Sequence, residues 1–353
     1  MKKFYEVIYN DLMPGMKGID EFLFPELDID PDSSGFALDE LVKNVHGVSF
    51  RRRGEQSAVR PYEAGVGTIY EIERASEKTP ITERLRDIVI AGGEETEAFS
   101  SREARLIRQI TKQHTVAHNI TRWKLSIDTI RTGKYSPKGI DGQDIGMEID
   151  FSRDASLDIT YDFTDSGAKV NTALKALYDA YRAKNGFGTN LVCLMGSSWL
   201  KQFEEDDDVI ENRKANSDNI LVTSNLIPPA MQNVQGLYLV SMYRVPGVVF
   251  PMFICAYDPD ASFIAYKGAT ATAYVPDDEC LMFSLKSPRY KVQRGVDVLD
   301  SNGNAARTAG DIVFDEFTEK DPVQTYLRSQ ARYAFIPADA DHTARSTGTF
   351  SES

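Results

Sequence analysis

The sequence is poor in cysteine, tryptophan and histidine, with 3, 2 and 4 of them in 353 residues. Cys193, Cys255 and Cys280 are odd in number, widely spaced and each set in an apolar run. That pattern argues against a disulfide or zinc framework and fits reduced core thiols. Positive charge is also short: 40 Lys and Arg against 53 Asp and Glu leave a formal net charge of −13. Wrapping nucleic acid directly needs clustered cations, so that class is disfavoured, while a container that only encloses DNA is compatible. No apolar run approaches a membrane span. The start, MKKFYEVIYNDLMPGMKG, breaks its apolar residues with Glu, Asn and Asp, so neither a secretory leader nor a membrane contact is expected. Internal repeats and low-complexity blocks are absent as well.

What is present is a hydrophobic content of 42%, enough to build one large core or two modest ones. Residues 1–46 scatter Phe22, Phe24 and other apolar residues among Pro, Gly and Asp. Such a stretch reads as an N-terminal arm ordered by a neighbour, because burial must offset the entropy of ordering. Residues 47–93 show strand alternation around Gly-rich turns, most simply an extended β-hairpin loop. An isolated hairpin is marginal in water, so it is expected to pack on another subunit.

The region 94–165 opens with the longest helical pattern. Leu106, Ile110, Ala117, Ile120, Trp123, Ile127 and Ile130 recur at helical spacing, and roughly 35 residues at ~1.5 Å each span ~50 Å. Region 166–318 mixes a second amphipathic helix (Val170, Leu174, Leu177, Tyr181), the apolar strand LVCLM, a helix from Ser197 or Ser198, and several further strands. This is an α+β pattern without regular βαβ alternation. Residues 319–340 contain a late strand, VQTYLRSQARYAFIP, expected to return near the long helix, and the polar 341–353 reads as a flexible tail.

Catalytic and metal signatures mostly fail. His114 and His118 have a zinc-compatible spacing, but a metalloprotease helix needs Glu where Thr115 stands. Surface histidines in hydrogen bonds or a subunit contact are the simpler reading. The run Glu204–Asp208 lacks the alternation of a calcium loop and reads as a solvated helix end. Gly196-Ser197-Ser198 lacks the form of a nucleophile elbow and reads as a helix N-cap. The Gly65 and Gly67 pair lacks the third glycine of a dinucleotide loop. No catalytic residue, cofactor or metal is therefore assigned. The one dense basic cluster, Arg51, Arg52 and Arg53 with Arg60 nearby, is either a solvated strand face or a set of partners for a neighbour's carboxylates.

The order arm, hairpin, long helix, α+β region and returning strand resembles the tailed-phage major capsid fold. Local patterns are similar to the lambda-like phage major capsid protein E family: VRPYEAGVGTIYEIERASEKTPIT, KLSIDTIRTGKY, GIDGQDIGMEIDFSRD, LVCLMGSSWLKQFEEDDDVIENRKAN, VPDDECLMFSLKSPRYKVQRG and EKDPVQTYLRSQARYAFIPADAD. The resemblance runs over nearly the whole chain. It implies an arm (1–46), an extended loop (47–93), a spine helix opening the peripheral domain (94–165), an axial domain (166–318) and a peripheral strand (319–340). It further implies hexamers and pentamers in an icosahedral shell around double-stranded DNA, assembled in the bacterial cytoplasm and retained in the virion. Such subunits work with a portal and, here, a separate scaffolding protein, since the arm is too short to be a cleaved scaffold; some relatives also bind a decoration protein. Subunit-interface candidates are Phe22, Phe24, Arg51, Arg52, Arg53, Arg60, Tyr62, Tyr70, Glu71 and Arg74. An encapsulin-like nanocompartment shell is the alternative.

Overall fold

The computed structural model describes residues 17–38, 68–81, 99–139, 142–165, 167–186, 190–215, 228–257, 262–263, 272–299, 305–320 and 323–350. Its principal elements in chain order are α1 (Ile19–Leu23), β1 (Glu26–Asp30), β2 (Gly35–Leu38), β3 (Thr68–Glu71), β4 (Ala75–Ile81) and α2 (Phe99–Thr132). Then come β5 (Asp158–Asp162), α3 (Val170–Asn185), β6 (Leu191–Met195), α4 (Ser197–Glu205), α5 (Asp207–Ala215), β7 (Leu237–Tyr243) and β8 (Met252–Tyr257). The chain finishes with β9 (Glu279–Ser284), β10 (Arg289–Arg294), β11 (Val313–Lys320), β12 (Val323–Ala331), β13 (Tyr333–Pro337) and β14 (Thr343–Thr349).

A six-stranded mixed sheet, ordered β5-β14-β9-β6-β8-β7, forms the axial part. Every residue of β6 is buried, as a strand covered on both faces requires. Val192 and Leu194 face a core shared with α1 and α2, while Leu191, Cys193 and Met195 face α3 and α4. All three cysteines are free and buried. Gly196 follows β6 without a side chain because a Cβ there would stand 2.0 Å from the Pro276 carbonyl oxygen. The helix start at Gly196 thus answers to close backbone approach, and no Ser hydroxyl caps it.

Two other sheets flank the long helix. β11, β12 and β4 pair antiparallel in that order, and β1, β10 and β13 form the third sheet, with β1 parallel to β10. The late strand thus does return beside the long helix. It divides at Arg332 into β12 and β13, which belong to different sheets.

Three expectations are corrected. The described part of the arm packs on its own chain: Ile19, Phe22, Leu23 and Phe24 are at most 2% exposed. Burying each stabilises by roughly 1.5–3 kcal/mol, comparable with ordering so short a segment at ~1–2 kcal/mol per residue. The Phe24 ring also sits 4.9 Å from that of Phe335. Second, the described strands of the 47–93 region do not pair with each other, since β3 pairs with β2 and β4 with β12. Third, the 341–353 tail is not loose throughout, because β14 inserts between β5 and β9. Its small residues permit this: a Cβ on Gly348 would lie 2.6 Å from the Phe350 ring and 3.0 Å from the Trp199 indole nitrogen.

Candidate assembly surface

The spine α2 presents an unusual face to the body. Thr111, His114, Thr115, His118, Asn119, Arg122, Ser126 and Thr129 are all buried. They recur at spacings of three and four, the period of one helix face. Leu106, Ile110, Ile127 and Ile130 are buried at the two ends, whereas Ala117, Ile120 and Trp123 are only half-buried. The apolar stripe is therefore interrupted by a polar seam, and buried polar groups need partners.

The seam finds several of them on the flanking sheet. Nε2 of His114 lies 2.8 Å from the Thr79 hydroxyl on β4, and Nε2 of His118 lies 3.0 Å from the Ser329 hydroxyl on β12. The two histidines are buried, not on the surface, and each already spends one ring nitrogen on a hydroxyl. Burial lowers both from the ordinary histidine value, and for His118, with His114 and Arg122 nearby, the value falls to about 4. Among the described residues no three His, Cys, Asp or Glu side chains gather as a metal site.

At the centre of the seam four charges from distant parts of the chain meet. Arg122 Nε stands 2.9 Å from the Asp20 carboxylate and its Nη1 3.2 Å from Asp311. Lys291 Nζ on β10 donates to Asp20 at 3.0 Å and also pairs with Asp311. Gln293 donates to Asp311 at 2.5 Å. Burial alone would raise the Asp311 carboxyl, but Arg122 and Lys291 hold it below its ordinary value. Two cations and two anions close the local charge, which is what permits burial. The cluster fastens α1 to the spine and to β10, a link no local sequence pattern announces.

The interface candidates separate. Phe22 and Phe24 are spent inside the chain and drop out as surface contacts. Tyr70 is half-buried with its ring 5.8 Å from that of Phe36. Glu71 is exposed, and exposed Arg74 donates to Gln330 at 2.9 Å on β12. Arg51, Arg52, Arg53, Arg60 and Tyr62 lie outside the described residues, as do Gly65 and Gly67. The acidic run is partly structural: Asp206 accepts from the Val209 amide at 3.1 Å and the Val170 amide at 2.9 Å, so it joins the starts of α5 and α3.

No curated protein matches the sequence. The family model for phage major capsid protein E matches residues 21–347. Among solved structures, one described as the capsid protein of a prophage in Escherichia coli CFT073 superposes with a TM-score of 0.61 at 14% identity, covering 98% of each chain. The capsid of cyanophage P-SCSP1u gives a TM-score of 0.47 at 10% identity over 95% of this chain and 89% of that one. An encapsulin complex from Synechococcus elongatus PCC 7942 gives 0.42 at 9% identity over 97% and 94%. Of these three, the first alone bears on the fold, which this chain shares with that prophage protein.

Proposed function

The chain belongs to the phage major capsid protein E family and is a structural shell protein, and from that premise we propose that it closes an icosahedral phage head around double-stranded DNA as hexamers and pentamers. The observation that carries this is the family match over residues 21–347, from the buried α1 to the last strand. Membership implies a virion protein that assembles as an oligomer. The proposal adds assembly in the bacterial cytoplasm with a portal, a separate scaffolding protein and, on the finished shell, a decoration protein.

The physics of the chain supports this reading. A net charge of −13 repels the phosphate backbone, so DNA is enclosed without sequence-specific binding. The 34-residue spine spans ~50 Å and is clamped along one side by strands from both ends of the chain, so the body turns as a rigid unit while contacts between copies are remade. Many weak contacts repeated around each copy then sum to a stable shell. The alternative, an encapsulin-like compartment around a cargo protein, has no observation of its own in its favour.

Electron microscopy of the overexpressed full chain, with and without co-expressed scaffolding protein, tests the proposal. Closed particles with fivefold and sixfold vertices are expected. Particles that always enclose a single co-expressed host enzyme would point to a compartment instead.

A further inference from the structure

Among the described residues the buried cations are Arg122, Arg289, Lys291 and Arg294. Arg122 and Lys291 share the carboxylates of Asp20 and Asp311, and Arg294 pairs with Asp28 at 2.8 Å. Arg289 alone pairs with no carboxylate. It opens β10 and is 1% exposed, and its Nε, Nη1 and Nη2 all lack a hydrogen-bond partner among the described residues.

Its surroundings are apolar or neutral. The Phe283 ring covers one face of the guanidinium, with Cζ 4.8 Å from the ring centroid. Register sets Arg289 opposite Pro337 on β13, and the side chain close enough to feel its charge is Tyr181 on α3. A stacked guanidinium still has its in-plane N–H groups to donate. Ser287, two residues earlier in the turn from β9 to β10, is buried with its hydroxyl unpartnered as well. A buried charge without ion pair or hydrogen bond is strongly disfavoured. Burial lowers the guanidinium only to about 10, so at neutral pH it keeps its proton and its charge.

We infer that Arg289 holds a small monovalent anion of halide size, with the Ser287 hydroxyl as a second donor and Tyr181 beside it. Charge sets the valence. One such ion closes the local charge to zero, as Asp20 and Asp311 do for Arg122 and Lys291, whereas a divalent oxyanion would leave net negative charge in the interior. Enclosure sets the size, because a guanidinium 1% exposed faces no opening through which a carboxylate or phosphate ester could stay joined to a larger molecule. The ion fastens the turn between β9 and β10 to α3 within one subunit, so the inference stands apart from the shell reading.

The test is the melting of the dilute, unassembled full-length chain in sodium chloride and in sodium gluconate at equal ionic strength. An ion bound only by the folded state raises the folded-to-unfolded ratio about tenfold for each tenfold of free ion above its dissociation constant. Wild type is expected to melt higher in chloride, with bromide acting alike, and Arg289→Met, which removes the charge and keeps an unbranched side chain, to lose the difference. Equal chloride dependence in the two chains, or none in wild type, overturns the inference. If Arg289→Met does not fold, crystals of the wild-type chain grown in bromide decide: an anomalous peak beside the guanidinium sustains the site, and its absence overturns it. None of these outcomes bears on whether the chain forms shells.

Discussion

Among the buried polar residues of the spine, His118 carries the clearest pH consequence. Its folded-state value is lowered to about 4, first by burial, while an unfolded histidine titrates near 6.5. Between these values the unfolded chain binds the extra proton, so stability falls as pH drops from about 6.5 and the loss is complete below about 4. The loss reaches about 2 kcal/mol by pH 5. Urea midpoints at pH 7 and pH 5 should show it, and His118→Asn, which can still bond Ser329, should flatten the slope. His114 shifts in the same direction and leaves a remainder. An unchanged slope in the variant would exclude His118 as its source. In the charge cluster, Asp20→Asn leaves Arg122 and Lys291 to share Asp311 as their carboxylate, an unbalanced buried charge expected to cost about 3–5 kcal/mol. Thermal melting measures it, and a loss under about 1 kcal/mol would mean that Asp311 alone balances both cations.

Elements differed in how far the sequence revealed them. The spine is expected from residue 94 to 133 and runs Phe99–Thr132, because apolar residues at helical spacing from Leu106 to Ile130, about seven turns, mark a long helix even where polar residues share the face. The second helix and LVCLM were legible for the same reason, each being a local pattern. The polar seam went unread, because spacing of Thr, His, Asn and Arg at three and four looks like a solvated face until β4 and β12 supply hydroxyls from far along the chain. The terminal strand β14 was missed because ARSTGT has no apolar alternation; it is buried by its neighbours and by the small size of Ala344, Ser346 and Gly348. Phe22 and Phe24 were assigned to a neighbour because six residues give too short a window for periodicity. Two predictions belong to this scale. Gly196→Ala pushes a methyl group against the Pro276 carbonyl and should lower stability by at least about 1–3 kcal/mol, read as a fall in melting temperature. Ending the chain before Thr343 uncovers the edges of β5 and β9, so the product is expected in the insoluble fraction, and a soluble, cooperatively melting product would contradict the role given to β14.

For the whole molecule, a body fastened from within is distinct from the parts that join copies. The charge cluster, the histidine bonds and β14 hold the body and predict stability. The part of the arm and extended loop within residues 39–67 is proposed to join copies. Leu38 and Thr68 are register partners, so 39–67 can be replaced by a two-residue Asn-Gly turn without disturbing β2 and β3. That variant should melt like wild type yet yield no closed shells, and normal shells from it would remove the loop from the mechanism. The most direct measurement of the central claim is the sedimentation distribution of purified full-length protein over a wide concentration range, with microscopy of the fast fraction. The account predicts a cooperative step from subunits to large particles of uniform size with icosahedral symmetry. A compact monomer that persists at the highest concentration, with scaffolding protein present, would contradict it.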